Sequence, residues 1–242
     1  MADKQNDLHS KVSQAVAYFW RTRQSQVEKQ KQTGSTDQGF RGAVTGGAQM
    51  DGFISLITET ITSAGIDKKH IYFQQYLELP GYFRPTKEWD LLVVKDNQLI
   101  IALEAKSQVG PSFGNNFNNR TEEAIGSALD LWTAYREGAF NKTVKPWLGY
   151  LFMLEDCARS QSPVSVKEPH FEVFPEFKGA SYTKRYEIFC RKLLRERHYN
   201  AACFITSHKD KGLNGDFTEP AEDLTFNIFA NSLRAQILTY GD

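Results

Sequence analysis

The stretch Glu88-Trp89-Asp90-Leu91-Leu92-Val93-Val94-Lys95-Asp96-Asn97-Gln98-Leu99-Ile100-Ile101-Ala102-Leu103-Glu104-Ala105-Lys106 decides how the chain reads. Two runs rich in Val, Ile and Leu flank a polar Lys95-Asp96-Asn97 turn, which is the pattern of a β-hairpin. Side chains alternate along a strand, so Ile100, Ala102, Glu104 and Lys106 fall on one face and Leu99, Ile101 and Leu103 on the other. The length of the turn decides where Asp90 goes. A three-residue turn with Asn97 left-handed pairs Val94 with Gln98 and Asp90 with Ala102, and puts Asp90 on the Glu104 face, one diagonal step away. A two-residue turn sends Asp90 to the opposite face. In the first register an Asp, a Glu and a Lys leave one end of an apolar sheet together, and three charges there are costly unless they hold something.

At 242 residues the chain is long enough for a sizeable core, and 40% hydrophobic with 24% charged residues is the composition of a globular protein. No apolar run approaches membrane-spanning length, and the first residues lack the apolar centre of a signal peptide. Cys157, Cys190 and Cys203 are odd in number, far apart and outside any C-x-x-C pair. They read as reduced, buried thiols of a cytoplasmic protein rather than as a disulfide framework or zinc site. The formal net charge is zero, which argues against affinity from a uniformly basic surface but allows a local basic cleft.

Around the hairpin, Val12, Ala15, Val16, Phe19 and Trp20 recur at helical spacing within a helix from about Asn6 to Lys31, whose later half is polar on nearly every side. Thr33 to Gly52 is a glycine-rich loop in which Arg41 and Gln49 are placed to reach phosphates or base edges. No G-K-[ST] closes it, so it is not a P-loop. A helix from about Phe53 to Ala64 and a strand from Ile71 to Leu79 precede the hairpin. After it, Asn119 and Glu122 form a capping box opening a helix. The unbroken apolar run Trp147 to Leu154 reads as a buried strand, Ser181 to His198 as an amphipathic helix, Ala201 to Thr206 as the last strand and Glu222 to Tyr240 as a closing helix. These elements predict an α/β (α+β) fold, a central mixed β-sheet flanked by helices.

An Asp opening one strand and an acid-x-Lys closing the next resembles the PD-(D/E)xK nuclease superfamily, with Trp89 where the motif's name has proline. The segments Arg41-Gly-Ala-Val-Thr-Gly-Gly-Ala-Gln-Met-Asp-Gly-Phe53 and Ser107-Gln-Val-Gly-Pro-Ser-Phe-Gly-Asn-Asn-Phe-Asn-Asn-Arg120-Thr-Glu-Glu-Ala-Ile-Gly126 are similar to parts of the XhoI family of type II restriction endonucleases, and the likeness runs over nearly the whole chain. It implies one restriction-endonuclease domain over 1–242, with a helical and loop part at 1–66, a nuclease core at 67–207 and a C-terminal helix at 221–240. It implies Asp90, Glu104 and Lys106 as catalytic residues and Mg2+ held by Asp90, Glu104 and the Ala105 carbonyl; several nucleases of this fold add a glutamate from the preceding helix, where Glu59 is the candidate, although an exposed polar helix face is the plainer reading of that residue. It further implies a homodimer acting on double-stranded DNA at the palindrome CTCGAG and leaving 5′ overhangs.

The chemistry suits those residue types. Two carboxylates meeting at one point hold a hard cation through oxygen, and a lysine on their face offsets their repulsion, orients or helps deprotonate the attacking water and steadies charge on a phosphorane. Asn115, Asn116, Asn118, Asn119 and Arg120 crowd the segment beside the strand and are the expected base-reading and phosphate-binding groups. His9, His70, His170, His198 and His208 are scattered and take no part. A two-carboxylate glycosidase would have no need of Lys106. The rivals kept open are a structure-specific repair or resolvase nuclease of the same fold and a non-catalytic DNA-binding protein.

Overall fold

The computed structural model describes residues 2–32, 47–141 and 144–240. Five strands form a mixed sheet in the order β1 (Ile71–Tyr72), β4 (Leu91–Lys95), β5 (Gln98–Gln108), β6 (Trp147–Glu155) and β7 (Ala201–Ser207). The first three are antiparallel, while β5, β6 and β7 run parallel. A separate two-stranded ribbon pairs β2 (Glu78–Pro80) with β3 (Thr86–Glu88). The expected single strand from Ile71 to Leu79 is therefore two short pieces. Tyr76, at φ 59°, breaks the extended backbone between them.

Helices cover both faces. On one lie α1 (Ala2–Gln32), α2 (Asp51–Ser63) and α7 (Phe226–Leu238), which pack Phe19, Ile57 and Phe229 against Leu91, Val93, Ile101, Leu103 and Met153. On the other lie α3 (Phe113–Arg136) and α5 (Tyr182–Arg195), which bring Phe113, Ala128, Tyr186 and Phe189 onto Leu92, Ala102, Tyr150, Phe152 and Phe204. The short α4 (Ala158–Gln161) and α6 (Lys209–Gly212) lie in the connections. Strands β6 and β7 are buried on both faces, which is why their sequences are unbroken apolar runs. The Ser181 hydroxyl caps α5 by accepting from the Lys184 amide, and Thr225 does the same for α7 through Ile228. Outside β7, Thr206 exchanges both backbone hydrogen bonds with Thr218, and Ser207 Oγ accepts from the Trp20 indole while donating to the Asp216 carbonyl.

The hairpin departs from the expected register in an instructive way. Its turn has two residues, Asp96 and Asn97, both left-handed at φ 51° and 60°, and Lys95 pairs with Gln98. This mirror-type turn matches strand twist and is a normal use of Asp and Asn. Alone it would put Asp90 on the wrong face. A β-bulge restores the face, because Val94 pairs with Leu99 but Val93 pairs with Ile101, leaving Ile100 as the extra residue. Ile100 therefore packs with Ile101 on the α1/α2 side, and Leu99 with Leu92 on the other, the reverse of the simple alternation. The shift carries Leu91 opposite Leu103, and Asp90 donates its amide to the Leu103 carbonyl at 3.1 Å, directly across from Glu104.

Strain in a left-handed residue grows with β-branching. In urea unfolding, Asn97→Val should lose about 1–2 kcal/mol, whereas Asn97→Gly should keep wild-type stability. A Val variant as stable as wild type would show that the turn is not held in this conformation.

Candidate active site

The end of β5 gathers four charges. One Asp90 oxygen, Oδ2, accepts from the Ala105 amide at 2.8 Å and from Lys106 Nζ at 3.0 Å. Glu104 is only 2% exposed, yet both its oxygens are engaged. Oε1 lies 3.1 Å from Lys87 Nζ and 3.6 Å from Lys106 Nζ. The Tyr199 hydroxyl, itself 3.1 Å from the Ala124 carbonyl oxygen, donates to Oε2 at 2.9 Å. A buried carboxylate is tolerated only with such partners. Burial pushes the Glu104 carboxyl upward, but the Lys87 and Lys106 ammoniums and the Tyr199 hydroxyl outweigh it and hold the group below its ordinary range. Burial likewise works against the charge on Lys106, and Glu104 and Asp90 overcome it, so its pKa is raised and it is an ammonium at neutral pH.

A cavity of about 560 Å³ opens on this cluster and is lined by Asp90, Ala105 and Lys106. Asn115, Asn116, Asn119 and Arg120 form another wall, and Gln49 and Arg23 a third. The asparagines are not on a loop, because α3 already begins at Phe113 with Ser112 as its N-cap. Asn119 is therefore inside the helix and caps nothing. The early start follows from packing: Phe113 stacks on Tyr182, and Phe117 meets Tyr186 and Phe189 edge-on, so burial overrides the turn preference of asparagine. Asn118 is exposed and outside the cavity lining. Arg120 pairs through Nη1 with Glu123 at 2.5 Å, while its Nε is buried with no hydrogen-bond partner among the described residues. Gln49 is 5% exposed, and its Oε1 has no hydrogen-bond partner among the described residues. Arg41 lies outside the described residues.

Glu59 is not brought to this cluster. Its carboxylate takes Lys11 Nζ at 2.6 Å, beside Asp7. Together they line a different cavity of about 620 Å³ that shares no residue with the first. The reason is helical phase: on α2 the side chains of Phe53, Ile57 and Ile61 face the core, which turns Glu59 outward to α1. Among the described residues, no group of three or more His, Cys, Asp and Glu side chains is close enough to hold a metal. Asp90 faces an open, polar cavity and Glu104 lies buried just behind it, bridged to it by Lys106. This oxygen-rich setting fits a hard cation that keeps much of its water, and among the described lining residues a softer metal would find no thiolate or imidazole.

Lys87 and Tyr199 were not singled out by the sequence reading. Lys87 comes from the separate β2–β3 ribbon, and Tyr199 from the turn before β7. The one sequence signal is the Lys87-x-Trp89 alternation, which places the ammonium 4.3 Å from the Trp89 ring centroid. Arg23, on the polar half of α1, is half-buried, and desolvation lowers its pKa.

A mixed sheet with cross-strand Asp and Glu and a lysine two residues on defines a nuclease of the restriction-endonuclease type. The comparisons narrow that class. Residues 29–219 match the family described as restriction endonuclease XhoI. The chain is 54% identical over 214 residues to the type II restriction enzyme BstVI of Geobacillus stearothermophilus, an alignment covering 86% of this chain and 96% of the relative. It is 49% identical to the type II restriction enzyme XhoI of Xanthomonas vasicola, over 74% of this chain and 72% of that one. It is also 49% identical to the type II restriction enzyme AbrI of Azospirillum brasilense, over 71% and 77%. No solved structure matches the chain. The chain belongs to the XhoI family of restriction endonucleases. It is accordingly a hydrolase, a type II site-specific deoxyribonuclease of a restriction system whose substrate is DNA. Among the described residues no helix is long and apolar enough to cross a membrane.

The depressed Glu104 pKa has a signed consequence. A carboxyl whose folded pKa lies below its unfolded value contributes stability above the unfolded value, and the contribution is lost as pH falls through the folded pKa. The melting temperature of the metal-free protein should therefore fall as pH drops below the ordinary glutamate value of 4.5. Glu104→Gln should melt lower at pH 7 and show a shallower decline over the acid range. Parallel pH profiles for the two proteins would contradict the assigned ion pairs.

Proposed function

We propose that the chain cuts both strands of DNA at a short palindrome, CTCGAG, leaving 5′ overhangs, with Mg2+ as cofactor. It does so as a cytoplasmic homodimer in which each protomer is one domain. The observation that carries this reading is the direct cross-strand opposition of Asp90 and Glu104 with Lys106 beside both, in a member of the XhoI family. A palindrome is met symmetrically by two identical protomers, one site per strand.

Asp90, Glu104 and the Ala105 carbonyl are the proposed ligands of the cation. Bound there, Mg2+ supplies positive charge beside the scissile phosphate and acidifies a neighbouring water. Lys106 Nζ, 3.0 Å from Asp90, is positioned to orient the attacking water and to neutralise charge as the fifth oxygen joins phosphorus. Its place beside both carboxylates, 3.0 Å from Asp90 and 3.6 Å from Glu104, supports it as the group that orients or helps to deprotonate that water. Asn115, Asn116, Asn119 and Arg120 line the same cavity, which supports them, with Gln49, as contacts to bases or phosphates. Asn118 and Arg41 remain proposed DNA contacts on their residue type alone.

Lys106→Ala should bind a CTCGAG duplex while cleaving it about 10²–10⁴-fold more slowly, and Asp90→Ala should also bind and leave it uncut. Undiminished cleavage by either removes the mechanism. Phage DNA digested with the wild-type protein and Mg2+ should give discrete fragments whose sequenced ends share one palindrome. Branched DNA cut in preference to linear duplex would favour a resolvase.

A further inference from the structure

Glu104 has two lysines, and only one of them faces the proposed reaction. Lys106 lines the open cavity with Asp90, whereas Lys87 does not. It approaches Glu104 Oε1 from the ribbon side, where it lines a small closed space with Trp89 and Asp130. Lys87 is held firmly. Its side chain is 11% exposed, its ammonium lies over the Trp89 ring, and Nζ also donates to the Glu88 carbonyl at 3.0 Å. Nothing about this placement lets it reach a phosphate in the cavity.

With Lys87 counted, the cluster of Asp90, Glu104, Lys87 and Lys106 sums to zero charge. A carboxylate pair with one lysine would carry one net negative charge toward an arriving cation. Oε2 of Glu104 is already turned to Tyr199, so Oε1 is the oxygen left to face a cation, and it is the one Lys87 holds. Charges a few ångströms apart out of bulk water interact strongly, so a fixed ammonium there must oppose a dication at the same oxygen.

We propose that Lys87 is an affinity-setting residue, an internal counter-cation that keeps divalent-cation binding at Asp90 and Glu104 weak. This rests on the reading of those two acids as the metal ligands. It also means that loading gains from any anion brought into the cavity, a DNA phosphate above all, and by linkage the cation then strengthens the hold on that anion.

The test is Mn2+ binding to the full-length protein without DNA, read as free Mn2+ by electron paramagnetic resonance. Lys87→Met keeps the aliphatic stem over Trp89 and removes the charge, and should tighten Mn2+ binding by about tenfold or more. Lys87→Gln should tighten it likewise, which guards against a Met variant that misfolds, with circular dichroism as the check. Lys87→Arg, keeping the charge, should stay near wild type. Unchanged or weaker binding in folded Met and Gln variants overturns the inference. Adding Asp90→Asn to Lys87→Met separates the two levels. If the double variant loses the Mn2+ but Lys87→Met alone never tightened it, the metal site stands and the role of Lys87 falls. If Asp90→Asn changes nothing, the metal reading fails and takes the inference with it.

Discussion

One extra residue, Ile100, fixes the relation between the two strands that carry the acids. Without the bulge, the two-residue Asp96-Asn97 turn would leave Asp90 facing α1 and α2, in the apolar core, with no partner for its charge. With it, Asp90 stands across from Glu104 and can accept from both the Ala105 amide and Lys106. The bulge is held by packing rather than by polar contacts, since Ile100 and Ile101 both enter the α1/α2 core while Leu99 and Val94 turn to the other side. The geometry of the charges is therefore set from the apolar side of the sheet.

Glu104 shows how a fold keeps an ionised group inside. Its partners come from three separate parts of the chain: Lys87 from the ribbon, Lys106 from its own strand and Tyr199 from the turn before β7. Each offsets part of the desolvation cost. Tyr199 is in turn within reach of the Ala124 carbonyl on α3, so the carboxylate is tied to the layer that also presents Asn115, Asn116 and Arg120 to the cavity. The same network joins the acid to the helix opposite it.

Much of this was legible in the sequence where a single physical rule governs. The stripe Val12-Val16-Phe19-Trp20, the apolar run of β6 and the amphipathic stretch from Ser181 predicted elements that the structure contains, because burial periodicity is local. The hairpin was legible as a hairpin, and the face shared by Asp90 and Glu104 was anticipated, but through a three-residue turn rather than a two-residue turn plus bulge. A bulge is chosen by tertiary packing and leaves no mark in the pattern of apolar residues. The same holds for Asn115 to Asn119, whose turn preference gives way to Phe113 and Phe117 seated on α5. Glu59 takes the plainer of its two readings, an exposed helix face beside Lys11, because helix phase, not position in the sequence, decides what a side chain meets. Lys87 and Tyr199 were unread because their relation to Glu104 exists only once the ribbon and β7 have docked.

The outer rim of β7 bears on how copies of the chain meet. Thr218 occupies the backbone hydrogen-bonding positions of Thr206, and the opposite rim ends in the two-residue β1. Among the described residues, the Thr218 bridge interrupts one rim and the other ends in a very short strand, which shortens the row of amides and carbonyls on which a foreign strand could template itself. Open-ended stacking of sheets is thereby discouraged at those two positions.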